Sequence, residues 1–138
     1  GMLNVLNAKI RDKNLTNVKT IFLDIEKDRI PRDGYHMIVS SMTLHHIANL
    51  PPALDQFYNA LLPSGMICVT DLDSDNGKFH EDNQGVFHFG FGRENLAEMF
   101  RETGFVDVKC RTATGMTKPV RDNGMREFSI FLLTGRKS

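Results

Sequence analysis

Apolar residues recur along the chain with two spacings, and each spacing predicts one kind of secondary structure. Leu3, Leu6 and Ile10 lie three or four residues apart among charged neighbours, which predicts an amphipathic helix over residues 2–13. The same spacing predicts helices in two later segments, NLPPALDQFYNALLPSG (49–65) and RENLAEMFRETGF (93–105). Continuous apolar runs predict five strands, at 18–25, 35–41, 66–72, 107–114 and 127–136.

Residues at the ends of the second helix supply its start and stop signals. Asn49 can cap it, Pro51 and Pro52 suit its first turn, and Gly65 is expected to end it. Gly104 has the same stopping role in the third helix. The apolar stripe of the second helix is expected to face the core and consists of Leu50, Leu54, Phe57 and Leu61.

Apolar strands that alternate with helices predict an α/β fold, with a mainly parallel sheet covered by helices. In such sheets ligands bind outside the carboxyl ends of the strands. Asp24, Ser40, Ser41 and Asp71 each lie at or near such an end, so we expect them on one rim. This rim is the predicted functional site.

Composition and charge narrow the classes of function. The 138 residues suffice for one domain, and 17 basic against 17 acidic residues give no net charge, which argues against nucleic acid as a partner. The apolar runs are too short to cross a bilayer and nothing resembles a secretion signal, so no membrane partner is expected. Cys68 and Cys110 match no zinc-binding spacing and favour a reduced, cytoplasmic protein.

The segment SSMTLHHI (40–47) places two hydroxyls close to two imidazoles and admits three interpretations. A nucleophilic serine usually needs an elbow such as G-x-S-x-G, which is absent, so capping is favoured for Ser40 and Ser41. His45 and His46 are neighbours, and on a helix their side chains diverge by about 100°, so they are not expected to converge on one metal. A place on the rim of a cofactor pocket is the third interpretation.

The loop from 73 to 92 is polar and contains several glycines, histidines and phenylalanines. Its acids, together with Asp71, superficially resemble a calcium loop, but the glycine and the distal glutamate of that motif are out of register. His80 and His88 with one carboxylate form a weak candidate for a transition-metal site, and no metal ligand is assigned. Two interpretations of the loop stay open. It forms either a lid over a pocket or a surface loop that closes on its own aromatic residues, which are Phe79, Phe87, Phe89 and Phe91.

In this order and spacing, the segments resemble class I S-adenosylmethionine-dependent methyltransferases. The family pattern consists of a strand, then "lhHi" with a helix, then "LkpGG" and a strand that ends in Asp. In this sequence, "lhHi" corresponds to LHHI, "LkpGG" to LLPSG, and the strand that ends in Asp to MICVTDL. FGRENLAEMFRETGF and EFSIFLLTGRK are similar to the family's next helix and closing strand. The resemblance covers nearly the whole chain and implies a Rossmann-like sheet, mostly parallel with an antiparallel C-terminal strand.

One part of the family pattern has no counterpart in this sequence. The glycine-rich loop after the first strand is absent, as is the acid that ends the second strand and holds the ribose. MLNVLNAKIRDKNLTNVKTIFLDI resembles instead the helix after the second strand, followed by the third strand. Residues 1–138 are therefore expected to form a single partial, truncated methyltransferase domain that lacks the first two strands.

The resemblance implies cofactor contacts for five residues. Asp24 and Ile25 match the pair that holds the adenine, the acid through its exocyclic amine and the next residue by packing. Ser40, Ser41 and Met42 match the segment beneath the methionine moiety, beside the transferred methyl group. The implied cofactor is S-adenosylmethionine.

The resemblance also implies a substrate side, formed by His46 at the "hH" position and Asp71 at the end of its strand. Methyl transfer relies mainly on alignment of the acceptor with the methyl carbon, so no catalytic triad is required. The candidates for removing a proton from a small-molecule acceptor are His46, Asp71, His80 and His88. The alternative function is a non-catalytic remnant that acts as a self-associating interaction module.

The missing strands have two expected consequences. In the family's strand order, 3-2-1-4-5-7-6, their loss leaves the strand at 35–41 with a bare edge, which favours aggregation. We expect either TIFLDI to pair beside it or a second copy of the chain to cover it in a homodimer. Without the glycine-rich loop, cofactor affinity in this chain is expected to be weak or absent.

Overall fold

The computed structural model describes residues 1–121 and 124–138. The helices are α1 (Met2–Asp12), α2 (Leu50–Ala60) and α3 (Arg93–Thr103), and the strands are β1 (Tyr35–Ser41), β2 (Leu61–Leu72), β3 (Phe105–Pro119) and β4 (Met125–Lys137). A 3-10 turn, Leu44–His46, lies between β1 and α2. The three predicted helices and four of the predicted strands are confirmed. Within the described ranges, none of the helices has both the length and the apolar character needed to span a bilayer.

The four strands form one sheet in the order β1-β2-β4-β3. β1 is parallel to β2, whereas β4 is antiparallel to both β2 and β3. β1, β2 and β3 therefore run in one direction and the C-terminal strand runs against them, as the resemblance implies. The order equals the 4-5-7-6 part of the methyltransferase strand order. It places the carboxyl ends of β1 and β2 side by side, with Ser41 level with Thr70.

The main core lies where α2 and α3 pack against each other and against the sheet. The predicted stripe of α2 contributes to it, with Leu50 and Leu54 buried. Gly104 ends α3 in the left-handed conformation, at a φ of 111°, which glycine adopts with little steric cost. The largest apolar side chains that are fully buried are Phe100, Phe131, Leu44, Leu54, Leu61, Ile67, Leu72, Leu96 and Leu133.

Residues 18–25 do not form the predicted strand. They have no regular secondary structure before a turn at residue 25, and the side chains of Ile21 and Phe22 are 65% and 85% exposed. A strand is stable only where a neighbouring strand pairs with its backbone groups. In the family's order that neighbour is the second strand, which no segment of the described residues supplies. The expectation that TIFLDI pairs beside β1 is therefore wrong as well.

α2 ends at Ala60, earlier than the predicted stop at Gly65. Leu61 is already extended and pairs with β1. Pro63 accounts for the early end, because the residue before a proline is disfavoured in the helical conformation. Gly65 has a different role. A Cβ atom at this position would lie 2.8 Å from the carbonyl oxygen of Leu62, so the glycine permits a close approach of the backbone within β2.

β1 forms one edge of the described sheet and pairs with β2 alone. Met37 and Val39 are 54% and 69% exposed. Parallel strands are normally covered on both faces, so this exposure is unusual. The N-terminal helix α1 has no buried residue either. The expectation that a second copy covers the β1 edge stays a prediction.

Candidate active site

The backbone turns sharply where β1 ends, and this turn positions two histidines. Met42 has a left-handed φ of 54°, and its N–H donates to the carbonyl oxygen of Thr70 in β2 at 2.8 Å. The 3-10 turn Leu44–His46 follows directly. Both histidines of the turn are therefore held near the carboxyl end of β2.

Asp71, which was predicted on the rim, is fully buried and binds His45. Its Oδ1 lies 2.6 Å from His45 Nδ1, and its Oδ2 accepts a hydrogen bond from the His45 backbone N–H at 3.3 Å. The N–H of Leu72 donates to Oδ1 at 2.8 Å. Because His45 is only 1% exposed, the carboxylate and the imidazole satisfy each other's hydrogen-bonding groups away from water. Asp71 thereby fixes the orientation of the His45 ring.

His46 and His80 complete a cluster around His45. His80 Nε2 lies 3.2 Å from His45 Nε2, and the ring centroids of His45 and His46 are 4.2 Å apart. The Nδ1 atom of His46 lies 2.8 Å from the carbonyl oxygen of Gly85. The rings of His45 and His46 do converge, because both lie beside the ring of His80. The expectation that neighbouring histidines diverge is therefore wrong. Separate partners, Asp71 and Gly85, hold the two Nδ1 atoms and turn both rings toward His80.

The surroundings of His80 lower the pKa of its imidazole. Partial burial is the largest cause, followed by the positive charges that His45, His46 and Lys118 carry when protonated. The lowered pKa favours a neutral imidazole near pH 7. Neutral imidazole is the form that accepts a proton or binds a metal ion.

The loop 73–92 is fixed to the sheet at both ends. The Arg93 guanidinium donates to both carboxylate oxygens of Asp73, from Nε at 2.7 Å, and these hydrogen bonds are the largest cause of the lowered pKa of Asp73. The N–H of Phe91 donates to the carbonyl oxygen of Leu72 at 2.8 Å. The loop therefore begins and ends beside the carboxyl end of β2.

The carboxylates that superficially resemble a calcium loop each have a different partner. Asp71 binds His45, and Asp73 binds Arg93. Asp75 is buried and accepts hydrogen bonds from two backbone N–H groups of its own loop, at 2.9 and 2.8 Å. Each of these carboxylates is therefore engaged by a different partner, and the absence of a calcium site stays a prediction.

The phenylalanines of the loop divide into two groups: Phe79 and Phe91 are at least half-buried, and Phe87 and Phe89 are exposed. The loop backbone folds over the histidine cluster, where the N–H groups of Phe87 and His88 donate to the carbonyl oxygen of His45 at 2.9 and 3.2 Å. His88 Nε2 lies 2.9 Å from the carbonyl oxygen of Ile47, so this ring has a different partner from His80. The lid stays a prediction, with Phe87 and Phe89 as the exposed rings.

Asp24 binds residues of its own turn. Its Oδ2 accepts a hydrogen bond from Lys27 Nζ at 2.8 Å, and its Oδ1 accepts one from the N–H of Glu26 at 3.1 Å. The hydrogen bond from Lys27 is the largest cause of the lowered pKa of Asp24. Ile25 packs against the main core and lines a cleft of about 170 Å³ beside α2. The adenine contact of this pair stays a prediction.

The serines at the end of β1 bind the neighbouring strand. Ser41 Oγ accepts a hydrogen bond from Thr70 Oγ1 at 2.9 Å, and Ser40 is half-buried. In residues 1–121 and 124–138, neither serine hydroxyl is hydrogen-bonded to a histidine. The preference for capping over nucleophilic catalysis stays a prediction. Their position beneath the methionine moiety, with Met42, stays a prediction.

The structure gathers some of the predicted site residues and separates others. It brings together Asp71, His46 and His80, and it gives Asp24 and His88 other partners. His45 is a residue of this site that was not among those predicted from the sequence. The available signal was its place between the apolar residues Leu44 and Ile47, both buried, because a buried histidine requires a polar partner.

The fold and this rim define the C-terminal part of a Rossmann-like methyltransferase sheet. The sequence agrees, because residues 5–109 match the family described as a methyltransferase domain. The chain belongs to this methyltransferase family.

Curated relatives share a modest fraction of the sequence. The chain is 27% identical over 123 residues to an uncharacterised methyltransferase of Schizosaccharomyces pombe, a match that covers 78% of this chain and 43% of the relative. It is 22% identical over 140 residues to a demethylmenaquinone methyltransferase of Geobacillus, covering 83% of this chain and 60% of the relative. The chain thus spans about half the length of these relatives.

Solved structures share the fold. A methyltransferase structure from Bacillus halodurans matches with a TM-score of 0.74 and 16% identity, over 98% of this chain and 78% of that one. Phosphoethanolamine N-methyltransferase 2 of Haemonchus contortus, in complex with S-adenosylmethionine, matches with a TM-score of 0.71 and 13% identity, over 94% of this chain and 39% of that one. S-adenosylmethionine is thus a bound cofactor within this fold class.

The described residues do not fit the whole of S-adenosylmethionine. The segment Ser40 to Met42, which the resemblance implies beneath the methionine moiety, lies at the end of β1. The carboxylate of Asp24 is engaged by Lys27 and Glu26, and the sequence contains no glycine-rich loop to receive the amino-acid tail. The fit is therefore restricted to one side of the cofactor.

Proposed function

We propose that this chain supplies the acceptor side of a methyltransferase that moves a methyl group from S-adenosylmethionine to a small molecule. The supporting observation is the series of contacts from Asp71 through His45 to His80 at the carboxyl ends of parallel strands. Ligands of α/β folds bind at such ends. The relatives support the same class of substrate, since one structure of the Haemonchus contortus enzyme contains phosphomonomethylethanolamine with S-adenosylhomocysteine.

In this proposal, the histidine cluster removes the proton from the acceptor. His80 is the principal candidate because its lowered pKa favours the neutral base. Asp71 acts as a positioning residue through His45. His46, which is exposed, is the second candidate, and His88 is a weaker one because its Nε2 already has the Ile47 carbonyl as a partner.

We also propose that the 138 residues form a partial domain that binds the cofactor weakly by itself. Charged hydrogen bonds of the kind that hold an amino-acid tail contribute about 1.5–3 kcal/mol each, so the loss of two shifts a micromolar dissociation constant to between about 0.1 mM and tens of millimolar. Calorimetric titration with S-adenosylhomocysteine is expected to show a dissociation constant of that order. The Haemonchus contortus enzyme serves as the positive control. Micromolar binding by this chain would show that the missing loop does not matter.

The second candidate function is a non-catalytic, self-associating module. The observation that favours it is the exposed edge of β1, with Met37 and Val39 open to solvent. An uncovered parallel strand is a template for pairing with another strand. A homodimer through this edge is compatible with either function.

A cytoplasmic location is also proposed, because the free thiols of Cys68 and Cys110 suit a reducing compartment.

Replacing Val39 with lysine tests the homodimer. A charge on an edge strand opposes edge-to-edge pairing, so Val39→Lys is expected to convert a dimer to a monomer without unfolding the chain, because the side chain is already 69% exposed. Sedimentation equilibrium gives the mass of each species. Met125→Lys, at a position 66% exposed in β4, is the control and should stay dimeric. A wild-type chain that is monomeric at high concentration would rule the homodimer out.

A further inference from the structure

Three imidazoles converge at the carboxyl end of β2, and the proton-transfer role of His80 does not require all three. One ligand nitrogen from each of His45, His46 and His80 lies within 4.8 Å of the other two. His45 is buried, His80 is half-buried and His46 is exposed, so the cluster reaches from the interior to the surface. The three-residue grouping differs from the pair considered from sequence, which combined His80 with His88.

The hydrogen bonds of two of these rings select the same tautomer. His45 Nδ1 lies 2.6 Å from a carboxylate oxygen of Asp71. A carboxylate oxygen can only accept a hydrogen bond, so the proton of the neutral ring lies on Nδ1. His46 Nδ1 lies 2.8 Å from the carbonyl oxygen of Gly85. A carbonyl oxygen also only accepts hydrogen bonds, so the proton of this ring lies on Nδ1 as well. In both neutral rings the unshared electron pair is therefore on Nε2. Carboxylates and backbone carbonyls are the groups that hold metal-binding histidines in this way.

The spacing of the nitrogens suits a small tetrahedral ion. Zinc binds imidazole nitrogen at about 2.0–2.1 Å, which places two tetrahedral ligands about 3.4 Å apart. The Nε2 atoms of His45 and His80 are 3.2 Å apart. The nitrogen of His46 lies within 4.8 Å of the other two, so it needs to move inward by at most about 1.4 Å to reach this spacing. It can do so because His46 is exposed and lies in a short turn. Three histidines with an open fourth position are a ligand set that zinc accepts.

We propose that His45, His46 and His80 form a binding site for a divalent transition metal of the zinc class, with Asp71 and the Gly85 carbonyl orienting two of the ligands. The ligand set contains only imidazole nitrogen, which favours zinc-class ions over calcium or magnesium. The open fourth position lies at the rim where the acceptor is proposed to bind. The metal site stands on the imidazole geometry alone. A neutral imidazole has one free electron pair, so His80 cannot bind the metal and accept a proton from the acceptor at the same time.

The test is equilibrium dialysis of the purified chain against Zn²⁺, with metal content measured by mass spectrometry. One zinc per chain is expected. His46→Ala and His80→Ala should each weaken binding at least about 100-fold, and Asp71→Asn about 10-fold to 100-fold, because it loosens the orientation of His45 without removing a ligand. Co²⁺ in place of zinc should give the intense visible absorption of a tetrahedral site, and this absorption should be lost in His46→Ala.

His36→Ala is the matched control, because His36 is an exposed histidine on β1 outside the cluster. It should retain full zinc affinity. Since His46 is also exposed, far-ultraviolet circular dichroism should show that His46→Ala is folded. The proposal fails if the wild-type chain takes up no more zinc than the double variant His46→Ala/His80→Ala. It also fails if His36→Ala weakens binding as much as His46→Ala does. The 3.2 Å contact would then be a hydrogen bond between two imidazoles and no more.

Discussion

Asp71→Ala is expected to lower the free energy of unfolding by about 3–5 kcal/mol, as removal of one partner of a buried polar pair does. The carboxylate of Asp71 is fully buried and faces three donors: the ring and the backbone N–H of His45, and the N–H of Leu72. Without it, these donors stay buried and lack an acceptor, which costs about 1–3 kcal/mol for each group. Urea unfolding followed by circular dichroism measures the loss.

Glu98→Ala is the control for removal of a carboxylate. Glu98 pairs with Arg101 on the surface of α3, and exposed ion pairs contribute at most about 1 kcal/mol. Asp71→Asn should fall between the two, because the amide retains one acceptor oxygen. If Asp71→Ala and Glu98→Ala destabilise the chain by similar amounts, the buried contact between Asp71 and His45 is not a structural element of the site.

Gly90→Ala is expected to destabilise the chain by about 3 kcal/mol. Gly90 has a φ of +75°, where a residue with a Cβ atom costs about 1–2 kcal/mol. In addition, that Cβ would overlap the carbonyl oxygen of Asp73 and lie 2.8 Å from the Cα of Ser74, and backbone atoms cannot move aside as a side chain can. The loop would have to shift away from β2 and break the hydrogen bond from the Phe91 N–H to the Leu72 carbonyl.

Gly85→Ala separates strain from steric overlap. Gly85 lies in the same loop with nearly the same φ of +74°, but a Cβ there would meet nothing within 4 Å. We expect this variant to cost only the conformational penalty of about 1–2 kcal/mol. Thermal unfolding of both variants gives the comparison. Equal losses would indicate that the loop does not pack against the backbone of Asp73 as described.

The elements whose signals are local could be predicted from the sequence. α1 and α3 follow from apolar spacing, and β1 was predicted with the observed bounds, Tyr35–Ser41. The strand at 18–25 could not be assigned correctly, because its apolar pattern is typical of a strand while a strand requires a neighbour elsewhere in the chain. The end of α2 was predicted at Gly65 and lies earlier in the structure, because Pro63 restricts the residue before it.

The candidate site was predicted in part for a similar reason. Asp71 was found because the carboxyl ends of parallel strands meet on one rim, which is a rule about topology. The direction in which each histidine ring faces depends on partners far along the chain. His45 is oriented by a residue 26 positions away, and its contact with His80 spans 35 positions. Helical geometry alone therefore gave the wrong answer for His45 and His46.

The position of the cofactor on this chain can be measured most directly by nuclear magnetic resonance. We expect S-adenosylmethionine at about 10 mM, a concentration suited to the weak affinity proposed, to shift backbone amide signals only at the rim, at Ile25 and Ser40 to Met42. Signals of the β3–β4 pair should stay in place, and the same concentration of ATP should not reproduce the pattern. An unchanged spectrum, or shifts centred on β3 and β4, would contradict a methyltransferase rim at the ends of β1 and β2.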